Sequence, residues 1–354
     1  MTEEPSSKDV LVRQGYSREM AQEIIDYVRG KGHVLIVTHD NPDPDALAAA
    51  VALRHLLLWK TGQDAVIAFG GQVGRGENRV MVQQLEIETR CLNDLDLEDF
   101  QVVCLVDTQP GTGNNSWPVE RPVHVVIDHP PRRPTVEGCA RIDIRENYGA
   151  CATMLFEYLK THDLRINTKL ATSLFYAIKS ETQDLGREWA RADREAYLYL
   201  LPLANNRVLY DITHPQVAAS YFTTFSRALE NTRVYGPLLI FNLFQIDNAD
   251  IVAELADFLL RWEGVDHVFG MGLHESMEVL SYRTLCQEGR ADQVIQTVLQ
   301  GLGTSGGHGM MAGGQIHNAR TSREDQLGLE RLLTRRLLKA LHLAPDLANP
   351  LLAE

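Results

Sequence analysis

The chain has 354 residues, of which 44% are hydrophobic and 23% are charged. These fractions are close to the averages of soluble globular proteins, so they exclude a disordered, collagen-like or coiled-coil chain. The 34 basic and 47 acidic residues give a formal net charge of -13. Because proteins hold long DNA mainly through many Lys and Arg contacts to phosphates, this charge argues against long duplex DNA and anionic membranes as partners. The length predicts two domains.

Cysteine usage and the first residues predict a cytoplasmic protein. The five cysteines are scattered and form no CxxC pair, which argues against both a disulfide framework and a thiolate zinc site. The N-terminal sequence MTEEPSSKDV is acidic and polar, unlike a secretory signal. The most apolar helical stretch, residues 45–59, is too short to span a bilayer.

The first part of the chain predicts helices that alternate with buried strands. Residues 16–30 have helical spacing, and the apolar run VLIVTH that follows predicts a strand. Further apolar runs end at Asp107 and Asp128, and helical spacing resumes over 149–162 and 168–180. Short apolar strands that alternate with helices are typical of a parallel, doubly wound α/β sheet.

The second part of the chain repeats an α/β pattern on a smaller scale. Pro202 and Pro215 interrupt helical spacing in the segment before it, and the pattern itself contains a glycine-rich loop over 304–314. We therefore expect an N-terminal tail and helix over 1–30, a parallel-sheet α/β domain over 31–191, a helical connector over 192–232 and a smaller C-terminal α/β domain over 233–345, with a cleft between the domains.

Acidic and imidazole side chains follow three of the predicted strands. They are His39, Asp43 and Asp45 after the first strand, Asp107 after the next buried run, and Asp128 with His129 after the third. In open α/β sheets, sites form beyond the carboxyl ends of the strands. Singly, each residue also fits a structural role, such as a helix cap. Together, several carboxylates at apolar strand ends require cations, which predicts a metal cluster.

The donor types narrow the choice of metal. Mixed imidazole and carboxylate ligands favour Mn²⁺, Fe²⁺, Co²⁺ or Zn²⁺ over Mg²⁺, which prefers oxygen and keeps its waters. The number of candidate ligands is sufficient for two ions, and a pair about 3.5 to 4 Å apart suits in-line phosphoryl hydrolysis.

A family resemblance follows from motifs that occur in order between residues 39 and 314. They are His39-x-x-x-Asp43-x-Asp45, the lone Asp107, the pair Asp128-His129, Ser281-Tyr282-Arg283 and Gly306-Gly307-His308. Together they resemble the DHH phosphoesterase family with its DHH-associated C-terminal domain. The resemblance implies a dinuclear Mn²⁺ centre, with Mg²⁺ or Co²⁺ as further possibilities.

The resemblance also implies a role for each site residue. His39 and Asp43 would hold one ion, Asp45 and His129 would hold the other, and Asp107 would bridge them. Asp128 would orient the ring of His129. A bridging hydroxide would attack phosphorus, so we expect Asp107, Asp128 and His129 to form the catalytic group.

Two positions depart from the family pattern. Pro130 replaces the second His of the signature, and Glu181 stands where the fourth motif normally supplies an Asp. Glu181 is the expected additional metal ligand, and Asp184 is the alternative. Pro130 has no hydrogen-bond donor for a phosphate. Arg132 could bind the phosphate in its place, or it could belong to a solvated basic turn.

Substrate contacts are expected from the second domain. Glycines let backbone N–H groups approach a phosphate, and the resemblance implies that Arg283, Gly306, Gly307 and His308 bind substrate. The expected activity is hydrolysis of short oligoribonucleotides or of 3',5'-bisphosphonucleotides, by a protein that could be a homodimer. The alternatives are a polyphosphate, pyrophosphate or cyclic-dinucleotide hydrolase, and a degenerate nucleotide-binding regulator without turnover.

Overall fold

The structure, a computed structural model, describes residues 7–286, 290–344 and 349–352, without the side chains of 7–9 and 308. The chain divides into two compact units, and the division falls between Pro215 and Gln216, inside the predicted connector. No described helix is both long and apolar enough to cross a membrane.

The first unit contains helices that lie before, between and after its strands. The helices are α1 (Ser7–Val28), α2 (Pro44–Thr61), α3 (Gly76–Leu85), α4 (Cys151–Thr161), α5 (Thr168–Glu181), α6 (Arg191–Leu200) and α7 (Asn206–Thr213). The strands are β1 (Val34–Val37), β2 (Ala65–Phe69), β3 (Arg90–Cys91), β4 (Val102–Val106), β5 (Val125–Asp128) and β6 (Arg141–Ile144).

These strands form one parallel sheet in the order β3-β2-β1-β4-β5-β6. The order reverses between β1 and β4, so the connections leave these neighbours in opposite directions and open a crevice at their carboxyl ends. The predicted doubly wound parallel sheet is therefore confirmed. The acidic residues that follow β1, β4 and β5 all lie at this one edge.

The sheet of the first unit is buried on both faces, which explains its continuous apolar runs. Val34 and Ile36 of β1 pack into the core that contains α1, α2, α4 and α5. Leu35 and Val37 point to the opposite face, where they pack with Trp117 and Val136 from the loops that connect β4, β5 and β6.

The start of α2 is fixed by its own sequence. Asp43 is the N-cap, and its Oδ1 accepts hydrogen bonds from the backbone N–H of Asp45 at 2.9 Å and of Ala46 at 3.0 Å. Pro44 occupies the first turn, where its missing N–H costs nothing. A left-handed Gly62 ends the helix. This geometry holds the loop of the first predicted motif directly above β1.

The second unit contains a mixed sheet. Its helices are α8 (Ala219–Asn231), α9 (Ile251–Leu259), α10 (Ala291–Leu299) and α11 (Arg323–Ala340). Its strands are β7 (Arg233–Tyr235), β8 (Leu238–Ile246), β9 (His267–His274), β10 (Met277–Thr284), β11 (Thr304–His308), β12 (Met311–Ile316) and β13 (Asn349–Pro350). The order is β11-β12-β10-β9-β8-β7-β13, and of these pairs β8 and β9 run parallel while the others run antiparallel.

The predicted glycine-rich loop over 304–314 is wrong as a loop, because these residues form the β11–β12 hairpin. Its glycines allow close packing. Gly307 has a φ of 154°, and a Cβ there would lie 2.4 Å from the carbonyl oxygen of Met311. A strand that needs glycine for such contacts lacks the side-chain alternation by which strands are recognised in a sequence.

Candidate metal centre

The strand ends of the first unit bring five of the predicted ligands together. Among the described residues, possible metal donors form two groups: His39, Asp43 and Asp107 in one, and Asp45, Asp107, His129 and Cys151 in the other. Within each group the donor atoms lie within 4.8 Å of one another. Asp107 belongs to both groups, as a bridging carboxylate requires.

The two oxygens of Asp107 face different imidazoles. Oδ2 lies 3.5 Å from Nε2 of His39, and Oδ1 lies 3.7 Å from Nε2 of His129. Nε2 of His39 is also 3.7 Å from Oδ1 of Asp43, and Nε2 of His129 is 3.9 Å from Oδ2 of Asp45. Asp107 itself has a φ of 59°, a left-handed conformation that Asp tolerates better than most residues.

Asp45 is anchored by a helix distant in sequence. Its Oδ2 accepts the backbone N–H of Cys151 at 2.7 Å, and its Oδ1 accepts that of Ala152 at 2.8 Å. Both donors lie in the first turn of α4, where free N–H groups and the helix dipole favour a carboxylate. The starts of α2 and α4 are therefore joined through one carboxylate that is 1% exposed.

Both imidazoles present Nε2 to the carboxylates. Nδ1 of His39 is 2.9 Å from the carbonyl oxygen of Asp40, and Nδ1 of His129 is 3.0 Å from that of Tyr148. Because a carbonyl only accepts, each Nδ1 carries the hydrogen, which leaves Nε2 for a metal in the neutral ring. Backbone carbonyls in this role are common behind metal-binding histidines.

Asp128 lies beside the donors but in neither group. Its Oδ2 accepts a hydrogen bond from Nε2 of Gln109, and its Oδ1 accepts the backbone N–H of His129, both at 2.9 Å. The family resemblance predicts that Asp128 orients the imidazole of His129. The structure instead places the carbonyl of Tyr148 at Nδ1, while the carboxylate of Asp128 holds the backbone of His129.

The pKa values of the clustered side chains indicate that the cluster lacks positive charge. Burial and the neighbouring carboxylates raise the pKa values of Asp45 and Asp107 well above their usual range. Burial alone would lower the pKa of His39, but the adjacent Asp43 outweighs it and raises the value to about 9. Burial would raise the pKa of Asp43, but His39 lowers it to about 2. Carboxylates that resist ionisation until a cation arrives fit a divalent metal site.

Glu181 lies close enough to act on the cluster. It is the last residue of α5, and its charge raises the pKa of His39, Asp45 and Asp107. It nevertheless stands outside both donor groups of the described residues. The alternative, Asp184, is exposed and pairs with Nζ of Lys179 and with the hydroxyl of Tyr197 at 3.1 Å. It therefore points to surface partners.

The predicted substrate contacts have different surroundings. Arg132 is exposed in the segment after β5, where its backbone N–H donates to Glu146 at 3.2 Å. Arg283 is buried in β10, and its Nε lies 2.7 Å from Oδ1 of Asp257. Gly306 and Gly307 lie in β11, whereas the side chain of His308 is outside the described part of the chain.

Sequence reasoning missed several residues that hold this site. Cys151 joins a donor group although no motif marked it. Asp40 accepts hydrogen bonds from the backbone N–H groups of Gly70 and Ser116, each at 3.0 Å, and so ties together the loops after β1, β2 and β4. Asp40 comes shortly after an apolar strand, and this position could have marked it as a site residue. An Asp in this position is, however, equally typical of a turn.

The chain is similar to other proteins in sequence and in fold. Over 311 residues the chain is 33% identical to an uncharacterized protein of Methanocaldococcus jannaschii, a match that covers 87% of this chain and 63% of that protein. The chain thus spans less than two thirds of that relative. The crystal structure of an exopolyphosphatase-related protein from Bacteroides fragilis has a TM-score of 0.69 at 15% identity, covering 91% of this chain and 98% of the other. This likeness shows that the fold extends over both units.

A further comparison concerns the exonuclease RecJ. Its crystal structure with bound manganese has a TM-score of 0.45 at 14% identity, and it covers 93% of this chain and 95% of its own. The model of the DHH family, N-terminal domain, matches residues 33–178, which include all donors of both groups. Residues 33–178 therefore resemble the N-terminal domain of the DHH family.

Proposed function

We propose that the chain is a phosphoesterase that depends on divalent metal ions and hydrolyses short oligoribonucleotides or small phosphorylated nucleotides, such as 3',5'-bisphosphonucleotides. One observation carries the proposal. The carboxylate of Asp107, whose side chain is 9% exposed, directs one oxygen toward each imidazole, so a single residue joins two sets of metal donors. Paired metal sites are typical of phosphatases and nucleases.

The chain contributes preorganised ligands to this chemistry. Divalent ions held there would act as Lewis acids and would lower the pKa of a bound water. We assign His39, Asp43 and Asp107 to one ion, and Asp45, Asp107 and His129 to the other, with Glu181 as an additional carboxylate. Hydrogen bonds from the backbone hold Asp43 and Asp45, and carbonyls orient both imidazoles, so little reorganisation is needed on binding. We expect Mn²⁺, with Mg²⁺ or Co²⁺ as alternatives.

The charge of the chain favours small substrates. A formal charge of -13 opposes a long polyanion, whereas bound cations make the site itself attractive to phosphate. On the first unit, exposed Arg132 is the proposed phosphate contact. On the second unit we assign substrate binding to Arg283, Gly306, Gly307 and His308. For Arg283 this role would require sharing its guanidinium with Asp257.

A hydrolysis panel tests the proposal. Purified protein is supplied with Mn²⁺, Mg²⁺ or Co²⁺ and with a dinucleotide, a trinucleotide, adenosine 3',5'-bisphosphate, a cyclic dinucleotide, polyphosphate and pyrophosphate. We expect release of mononucleotide or phosphate from the first three substrates, abolished by a chelator. Binding without cleavage of any compound would overturn the enzyme proposal and favour a nucleotide-binding regulator, which the changes at Pro130 and Glu181 would permit.

A second candidate activity is hydrolysis of polyphosphate or pyrophosphate. Its support is the similarity of fold to a protein described as exopolyphosphatase-related. The same panel separates the two activities, because faster cleavage of polyphosphate than of the trinucleotide would favour this candidate. Gel filtration at two protein concentrations would test a homodimer.

A further inference from the structure

Cys151 supplies sulfur to only one of the two donor groups. It is fully buried at the first residue of α4, and its thiol belongs to the group with Asp45, Asp107 and His129. The group of His39, Asp43 and Asp107 contains nitrogen and oxygen donors alone. The two halves of the centre therefore differ in chemical softness.

The position of Cys151 is fixed by the same contact that holds Asp45. The backbone N–H of Cys151 donates to Oδ2 of Asp45 at 2.7 Å, so its side chain must start beside that carboxylate. The sulfur lies 3.8 Å from the carbonyl oxygen of Ile127 and 4.0 Å from Oδ1 of Asp128, and the thiol also interacts with the carboxylate of Asp107. Contacts of this length are weak, so they would compete little with a metal.

The spacing of the four donors suits one small ion. Around Zn²⁺, ligand bonds of about 2.0–2.3 Å in a tetrahedron separate donors by about 3.3–3.7 Å. Nε2 of His129 already lies 3.7 Å from Asp107 and 3.9 Å from Asp45, and all four donor atoms lie within 4.8 Å. Small side-chain movements would therefore close the group around an ion.

We propose that Cys151 is a metal ligand and that its thiolate makes the site of Asp45, Asp107 and His129 select a thiophilic ion of the Zn²⁺, Co²⁺ or Fe²⁺ type. The His39 side, which lacks sulfur, takes a harder ion such as Mn²⁺. As the metal–sulfur bond forms, the thiol releases one proton to solvent. This inference rests on the metal centre of the proposed function and adds a ligand and a preference to it.

X-ray absorption spectroscopy tests the ligand directly. Protein loaded with one equivalent of Zn²⁺ should show a zinc–sulfur shell at about 2.3 Å, and Co²⁺-loaded protein should show a sulfur-to-cobalt charge-transfer band in the near ultraviolet. Cys151→Ala should remove both signals and weaken Zn²⁺ binding at least tenfold. Cys104→Ala, which removes another fully buried thiol from β4, should leave both signals unchanged.

The result does not depend on the folding of the Cys151 variant. A wild-type protein without a zinc–sulfur shell would overturn the proposal. So would loss of the shell when Cys91, Cys139 and Cys286 are replaced by Ser while Cys151 remains. The hydrolysis panel is read separately: a sulfur shell without turnover would contradict only the proposed function, and turnover without a sulfur shell would contradict only the role of Cys151.

Discussion

The backbone carbonyl of Tyr148 lies 3.0 Å from Nδ1 of His129 and orients this imidazole toward Asp45 and Asp107. The hydroxyl of the same tyrosine lies 3.2 Å from Nη1 of Arg145 and 3.0 Å from Oε2 of Glu157. Tyr148 therefore connects the candidate metal centre to a buried ionic network in the same unit.

This network should be important for stability. Arg145 is 7% exposed, and its guanidinium contacts Asp143 at 2.7 Å and Glu157 at 2.8 Å. Arg145→Met would leave both carboxylates buried without this cation, and loss of one partner of a buried pair typically costs about 3–5 kcal/mol. We expect a loss of that size in the free energy of unfolding, measured with urea at neutral pH.

A matched control separates burial from charge. Arg54 pairs with Asp64 at 2.7 Å and with Glu88 at 3.2 Å, but both carboxylates are more than half exposed. Arg54→Met removes the same charge with the same substitution, and exposed pairs are worth about 0–1 kcal/mol. Similar losses in the two variants would contradict the assignment of the Arg145 network as a buried one.

Asp107→Asn should increase the stability of the metal-free protein and abolish metal-dependent hydrolysis. Burial and the charges of Asp45, Asp43 and Asp128 raise the pKa of Asp107, so its ionised form is unfavourable without a cation. Asn removes the charge and still tolerates the φ of 59°, whereas Ala would add backbone strain. We expect a higher Tm than wild type in a chelator, and activity reduced at least about 100-fold.

Metal ions should reverse this order of stability. Adding Mn²⁺ should raise the Tm of the wild type strongly and that of Asp107→Asn little, because ligands that bind only the folded state stabilise it. Asp94→Asn, at an exposed position, serves as the control and should follow the wild type. An Asp107→Asn protein that gains as much Tm from Mn²⁺ as the wild type would show that Asp107 is not a shared ligand.

The parallel sheet and its acidic edge could be predicted because the core strands are short apolar runs and an acid stands at the end of β4 and β5 and in the motif after β1. The partnership of Asp45 with Cys151 could not, since it depends on two helix starts that are 106 positions apart in the chain. Arg145 and Glu157 resemble surface residues in a sequence, because charged side chains are buried only when paired, and the pairs form in three dimensions.

Glu181→Gln should weaken the binding of metal ions at the candidate centre. The charge of Glu181 acts on His39, Asp45 and Asp107, and its removal lowers the attraction for a cation while keeping the size of the side chain. We expect the dissociation constant for the weaker ion, measured by titration calorimetry, to rise about 10- to 100-fold.

The matched variant for Glu181 is Asp184→Asn. Asp184 is exposed and pairs with Lys179, so its neutralisation should leave both dissociation constants unchanged. If Asp184→Asn weakened metal binding and Glu181→Gln did not, the two residues would exchange their assigned roles.

Glu278 should make the second unit less stable as the pH rises. It is 1% exposed on β10, and no described residue donates a hydrogen bond to either carboxylate oxygen. Burial, and next the charge of Glu330, raise its pKa from 4.5 to about 7. The folded state therefore holds this proton more tightly than the unfolded state. The contribution of Glu278 to the free energy of unfolding is thus greatest below pH 4.5 and falls until about pH 7.

The variant Glu278→Gln isolates this contribution. The shift corresponds to about 3 kcal/mol, so the variant should exceed the wild type by up to that amount at pH 8 and should match it near pH 4.5. Urea unfolding at a series of pH values measures the difference. A difference that does not change between these pH values would show that Glu278 ionises normally in the folded protein.

Gly306→Ala tests the proposed substrate role of β11 without disturbing the fold. A Cβ at Gly306 would meet no atom within 4 Å, whereas a Cβ at nearby Gly303 would lie 2.1 Å from the carbonyl oxygen of Gln315. Gly303→Ala should therefore cost about 1–3 kcal/mol of unfolding free energy, and Gly306→Ala should cost little.

If β11 approaches a phosphate, the added methyl group of Gly306→Ala should raise KM at an unchanged Tm. Unchanged KM and Tm would remove Gly306 from the substrate contacts, and a lowered Tm would mean that Gly306 is a packing residue like Gly303.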